Sequence, residues 1–239
     1  MLRWFPENIS TYGGDIDSVF FLIYCVVGFW FLLTEGALLF FIIRYRRRPG
    51  RGATYRRGER LTEVAWVLVP AAIVMVLDLG IEAAGGPAWA KIKERAPAGG
   101  VEVAVTAKQF NWEFTYPGPD GTFQTADDLT LENELHVPAG QNVHVSLRST
   151  DVIHSFFLPH VRLKQDVLPG RTIRAWFNAT KPGRYELACA ELCGFGHYNM
   201  RAFLTVHAAG DCRRWLDEHW PPGVAAGAER AVRVASGAR

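Results

Sequence analysis

The chain has 239 residues, 49% of them hydrophobic, and a formal net charge of +2. That length leaves room for one domain of ordinary size plus anchoring segments, and not for several domains. Near-neutral overall charge argues neither for nor against a charged partner, so the placement of apolar and charged residues has to carry the reading.

Residues 1–17 form a segment before the first long apolar run. Ser18 to Ile43 is continuously apolar except for Glu35. At about 1.5 Å per residue it is long enough to cross a hydrocarbon core of about 30 Å. It exceeds the apolar core of a secretory signal, and no A-x-A site follows. A second apolar run extends from Val64 to about Ile81, broken by Asp78, with Trp66 and Trp89 near its ends as interfacial aromatics. Residues 18–84 therefore predict a transmembrane helix hairpin. Its connector, residues 44–60, holds eight arginines against one acid, Glu59. Positive charge of that density favours the cytoplasmic side, which puts both termini outside. A nucleic-acid patch is the competing reading of the arginines, and two spans this close together speak against it. Glu35 and Asp78 are costly in lipid and predict a protein partner or a proton path, or merely hydration near an interface.

Residues 85–100, AAGGPAWAKIKERAPAGG in context, read as a linker with a short helical middle. From residue 101 the pattern turns to strands. VEVAVTAKQFNWEFTY alternates apolar and polar positions, and NVHVSLRST, TIRAWFNAT, GRYELACA and RAFLTVH are further short β segments punctuated by PGPDG, VPAG and KPGR. Short antiparallel strands with such turns predict a β-sandwich or barrel over residues 101–209. Residues 210–239 predict a short helix, DCRRWLDEHW, and then a flexible Ala/Gly/Arg tail.

The most informative run is CAELCGFGHYNM, which places Cys189, Cys193, His197 and Met200 in the pattern C-x3-C-x3-H-x2-M. Thiolate and thioether ligands favour copper, and imidazole suits copper too. The second imidazole is assigned to His154 in DVIHSF, upstream across a strand or two. Two thiolates can bridge two copper ions, so that an added electron is shared between both metals. Zinc is the first alternative, but structural zinc closes with spacings such as C-x2-C and has no use for Met. A disulfide is the second, and it leaves His154, His197 and Met200 unexplained. Cys25 reads as packing in the first span, and Cys212 as a lone thiol. No C-x-x-C-H is present, so no c-type haem is attached to this chain.

These residues carry a resemblance. From the first apolar segment to about Val206 the chain resembles subunit II of the haem–copper oxidases, the subunit that bears the binuclear CuA centre. The resemblance implies a membrane-anchored, all-β architecture: a two-helix transmembrane hairpin followed by a cupredoxin-like Greek-key barrel. It implies Cys189 and Cys193 as bridges between two coppers, His154, His197 and Met200 as terminal ligands, and Glu191 contributing its backbone carbonyl. The Glu191 side chain would hold a magnesium ion shared with subunit I. Glu63, in LTEVAWVLVP, matches a Glu at the mouth of a proton channel into subunit I, or else caps the first turn of a helix. KQFNW departs from the H-Q-W-Y-W common in relatives. Phe110 stands for the first aromatic of that patch and Trp112 for its second Trp, so the electron is expected to enter near these two.

The implied function is acceptance of single electrons from a periplasmic cytochrome c or similar carrier and their transfer to haem in subunit I, within a complex that includes subunit III. Oxygen reduction and proton pumping would belong to subunit I, and the complex to the bacterial plasma membrane with the copper domain outside. A membrane-anchored copper-delivery module is the alternative. A nitrous oxide reductase would need a large extra domain, and a quinol oxidase subunit would lack the ligands. No Lys or Arg occurs between Lys108 and Arg148, an interval holding Glu113, Asp120, Asp127, Asp128, Glu132 and Glu134, with Asp151 just beyond. This predicts an acidic docking face for a basic donor. DGTFQTADD within it is a weaker candidate for a calcium loop.

Overall fold

The structure is a computed structural model that describes residues 5–55, 57–208 and 210–220. It separates into a helical unit, residues 15–91, and a β unit built from residues up to 14 and from 92 onward.

In the helical unit, α1 spans Gly13–Arg44 and α2 spans Leu61–Trp89. Both are long and apolar enough to cross a membrane. Their large apolar side chains, among them Phe29, Leu32, Ile43, Trp66 and Val76, are exposed. A helix that is apolar all round and unburied within its own chain is matched to lipid or to membrane partners. The linker expected at residues 85–100 is shorter than its composition suggests. Gly85, Gly86 and Pro87 lie inside α2, and a π turn, Ala90–Glu94, continues it. Pro87 removes one backbone donor without ending the helix.

Among the described residues, the β unit holds ten strands in two five-stranded sheets. The first sheet contains β1 (Val101–Lys108), β2 (Asn111–Tyr116), β3 (Leu129–Glu132), β5 (Asn142–Ser149) and β8 (Ile173–Asn178), in the order β3-β2-β1-β5-β8. The second contains β4 (Glu134–Pro138), β6 (His154–Leu158), β7 (Leu163–Val167), β9 (Gly183–Cys189) and β10 (Arg201–His207), in the order β4-β10-β9-β6-β7. Alternation along β1, β2 and β5 sends Val103, Val105, Trp112, Phe114, Val143, Val145 and Leu147 into the core. There they meet Leu135, Phe156, Leu187 and Leu204 of the other sheet. Two N-terminal apolar helices followed by this cupredoxin-like half-barrel form the architecture that the sequence predicts.

Two features go beyond that prediction. Residues 9–12 do not hang free ahead of α1. Ile9 and Tyr12 are buried, Ser10 bridges to Ala179, and the Tyr12 hydroxyl donates to the Trp176 carbonyl at 3.1 Å. The Trp176 indole N–H in turn donates to the Ile92 carbonyl at 2.9 Å. Helix α3 (Asp211–His219) then lies against β4 and β10, with Trp215 stacked on His136 at 3.7 Å between ring centres. The flexible tail expected after it lies outside the described residues.

Candidate metal centre

Strand register brings the candidate ligands together. Cys189 is the last residue of β9, and β10 starts at Arg201, so residues 190–200 form the loop of one antiparallel hairpin. β6 pairs with β9 so that Phe156 faces Cys189. His154, two residues earlier on β6, therefore sits just beyond the end of β9. Two backbone bonds fix the loop base: Cys189 N–H to the Met200 carbonyl and Ala190 N–H to the Ser155 carbonyl, both 3.0 Å.

The donor atoms converge. Cys189 Sγ lies 3.9 Å from His154 Nδ1 and 3.8 Å from Cys193 Sγ. Cys193 Sγ lies 3.6 Å from His197 Nδ1 and 3.7 Å from Met200 Sδ. The Glu191 backbone carbonyl is 3.3 Å from Cys189 Sγ, while its side chain is exposed. His154, Cys189, Cys193 and Met200 are buried. Burial, and next the neighbouring Cys189, push the Cys193 thiol up to about 11, so metal loading there must displace protons. Both cysteines are free thiols in the structure. Two thiols, two imidazole Nδ1 atoms and a thioether fit copper better than zinc, for which a thioether is a poor ligand. One imidazole flanks Cys189. The other flanks Cys193 together with Met200.

The surroundings are ordered by hydrogen bonds. His154 Nε2–H donates to Asp151 Oδ1 at 2.8 Å, and Gln109 N–H donates to Asp151 Oδ2 at 2.6 Å. The Gln109 side-chain amide donates to the Cys193 carbonyl at 2.5 Å. Burial works to raise the Asp151 carboxyl, but bonds from His154, Gln109 N–H and Val152 N–H outweigh it and hold the group at about 2.

The two aromatic candidates separate. Trp112 is fully buried with its edge towards His154, 6.1 Å between ring centres. Phe110 is 38% exposed. Its ring rests on the ligand loop: a Cβ at Gly196 would lie 2.5 Å from Phe110 Cδ2, and one at Gly194 would lie 3.2 Å from Phe110 Cε1. The glycines of CGFGH thus admit this ring. Ile153, Leu192, Phe195 and Tyr198 add exposed apolar surface around the ligands. The sequence reading did not single these four out. For Leu192, Phe195 and Tyr198 a signal was available, as three large apolar residues within a loop that has no strand period.

The acidic set divides as well. Residues 117–128 leave β2 at Tyr116, the end opposite the Gln109–Phe110 turn. Five strand steps, about 17 Å along β2, separate that turn from the end at which the loop holding Asp120, Asp127 and Asp128 begins. Their carboxylates close local turns, accepting from Thr122 N–H, Thr125 Oγ1 and Gln124 N–H. Glu113 pairs with Lys108, and Glu134 pairs with Arg184 at 2.8 Å. Only Asp151 of the predicted face adjoins the ligands. Among the described residues, the one group of three or more His, Cys, Asp or Glu side chains placed to share a metal ion is His154, Cys189 and Cys193. At α2, the Glu63 carboxylate accepts from Gly58 N–H at 2.9 Å, as a residue closing a helix start does.

Comparison with known proteins places this geometry. The periplasmic domain of cytochrome c oxidase subunit II matches residues 109–207. The alternative cytochrome c oxidase subunit 2 of Bradyrhizobium diazoefficiens is 31% identical, with 90% of this chain and 84% of that protein covered. This chain belongs to the cytochrome c oxidase subunit II family. Cytochrome c oxidase subunit 2 of Thermostichus vulcanus is 32% identical over 88% of this chain and 76% of that protein. The solved periplasmic domain of subunit II of the cytochrome oxidase of Bradyrhizobium japonicum is 28% identical, covering 52% of this chain and 96% of that one at a TM-score of 0.47. As a subunit II, the chain is part of an oxidoreductase complex with other subunits. The family implies a copper centre and an electron-transfer role.

Proposed function

We propose that this subunit II accepts electrons from a reduced carrier outside the membrane and passes them to haem in subunit I, through a binuclear copper centre held by His154, Cys189, Cys193, His197, Met200 and the Glu191 carbonyl. The observation that carries this reading is the convergence of two thiols with one imidazole on each side and a thioether at one of them. Copper bound there would supply a one-electron couple shared between two metal ions. The chain's part is structural. Burial of Cys189, Cys193, His154 and Met200 excludes water, and the hairpin bonds at Cys189 and Ala190 hold the loop on two strands. A rigid ligand cage changes little when one charge is added.

Electrons enter at Phe110, the exposed ring resting on the ligand loop, and Trp112 stiffens the cage from beneath. The donor docks on the apolar surface of Ile153, Leu192, Phe195 and Tyr198, with Asp151 the acidic group at its margin. The exposed Glu191 side chain holds a magnesium ion shared with subunit I. Glu63 stands at the cytoplasmic start of α2, where it serves a proton path in subunit I. The chain lies in a bacterial plasma membrane with the arginine-rich connector inside and the β unit outside, beside subunits I and III. Cysteine substitution tests the reading: Cys189→Ser or Cys193→Ser abolishes a spectrum shared between two coppers, and Met200→Leu preserves it while moving the potential. Loss of copper with Met200→Leu and retention with Cys193→Ser would reverse the assignment.

A further inference from the structure

The structure assigns to Asp151, with Gln109, the role of positioning His154 and the ligand loop for metal binding. This rests on the copper reading above and adds residues that are not ligands themselves.

The argument is one of proton placement. An imidazole binds metal through a nitrogen that carries no hydrogen, and the hydrogen then sits on the other nitrogen. His154 is fully buried, so water does not set its tautomer. Its Nε2 faces Asp151 Oδ1 at 2.8 Å, and its Nδ1 faces Cys189 Sγ at 3.9 Å. An ionised carboxylate only accepts. Asp151 therefore holds the hydrogen on Nε2 and leaves the Nδ1 lone pair turned to the sulfur. Such an outer partner fixes both tautomer and ring orientation of a ligating histidine.

Asp151 is itself fixed. Oδ1 also accepts from Val152 N–H at 2.6 Å, and Oδ2 accepts from Gln109 N–H at 2.6 Å. The Gln109 amide continues to the Cys193 carbonyl at 2.5 Å. His154, Asp151, Gln109 and Cys193 form one chain of hydrogen bonds. It crosses from β6, through the loop before it and the β1–β2 turn, to the ligand loop. Gly194 is required by the last link, since a Cβ there would stand 2.8 Å from Gln109 Nε2, and its φ of +135° already excludes most residues. Lys108 and Asn111 flank this turn without taking part in the chain of hydrogen bonds.

A docking role for Asp151 and a positioning role separate cleanly. A docking carboxylate affects only donor oxidation, and does so in a salt-dependent way. A positioning carboxylate acts on the protein with no donor present. The experiment uses the purified full chain in detergent, first metal-free. Nitrogen NMR of His154 should show hydrogen on Nε2 in the wild type and a mixture of tautomers in Asp151→Ala. Copper affinity should fall about 10- to 100-fold in Asp151→Ala, equally at low and high salt. Asp151→Asn keeps one accepting oxygen for His154 and should recover most of that loss. Gln109→Met removes only the bond to Cys193, so the His154 tautomer should stay on Nε2 while copper is released faster. If Asp151→Ala does not fold, Asp151→Asn and Gln109→Met carry the test. An unchanged tautomer in Asp151→Ala with copper affinity within twofold of wild type, or an unchanged release rate in Gln109→Met, would overturn the inference. Failure of the wild type to take up copper would instead overturn the copper reading and leave the tautomer result standing.

Discussion

Gly196→Ala tests the seat of Phe110 on the ligand loop. Gly196 has φ −87° and ψ 7°, the bridge conformation that non-glycine residues take at the third position of type I turns. On backbone grounds alone the change would stabilise by about 0.4–1 kcal/mol, through the unfolded chain. The obstacle is the ring: the new Cβ would stand 2.5, 2.6 and 3.0 Å from Phe110 Cδ2, Cγ and Cε2. Ordinary carbon contacts are about 3.5–4.0 Å, so ring or loop must move by roughly 1 Å, at a cost of about 1–3 kcal/mol. The clash outweighs the backbone gain, and Gly196→Ala destabilises. With Phe110→Ala also present there is nothing to strike, and the same change becomes neutral or stabilising. A double-mutant cycle on denaturant midpoints of the metal-free protein should give a coupling of at least about 1 kcal/mol, with the sign reversed between backgrounds. Additive effects within about 0.3 kcal/mol would refute the placement of the ring.

Other expectations follow from the same structure. Tyr12→Ala removes a buried ring and its bond to the Trp176 carbonyl, and should cost about 3–5 kcal/mol of β-unit stability in a denaturant titration. Burial, then His207, His219 and Arg184, hold His136 down to about 4 from 6.5. The folded form thus binds fewer protons, so stability should be full above pH 6.5 and decline towards pH 4, by on the order of 3 kcal/mol. His136→Phe should flatten that decline in midpoints measured across pH. Asp127→Asn with Asp128→Asn should leave donor association nearly unchanged at physiological salt, since their loop starts from the far end of β2, about 17 Å of strand against a screening length of about 8 Å. A reporter fused at Gly52 should read as cytoplasmic and one after His207 as external.

The ligand run was legible because chemistry and spacing are local there: four donors of three types within twelve residues mean little singly and much together. His154 was legible as the second imidazole that the ligand set lacked, but the register that brings β6 beside β9 is a long-range fact the sequence does not show. Strands β3, β4, β6 and β7 were not singled out. HSFFL on β6 is buried at four of five positions, so it shows no alternation, and LKQDV on β7 is too polar to stand out. The β1–β2 hairpin read as one segment because its turn, Gln109–Phe110, contains none of the usual turn residues. Ile9 and Tyr12 gave no periodic signal, and their burial depends on β8, some 165 residues away in sequence. The acidic interval showed charge but not direction: β2 carries its loop away from the metal ligands, and local pairs with Lys108 and Arg184 neutralise part of the rest.

The central claim is tested most directly by copper stoichiometry and electron paramagnetic resonance on the purified, copper-loaded chain. The account predicts two coppers per chain and a signal in which one unpaired electron couples equally to both nuclei. One copper per chain with a signal from a single nucleus, or a colourless zinc protein, would contradict it.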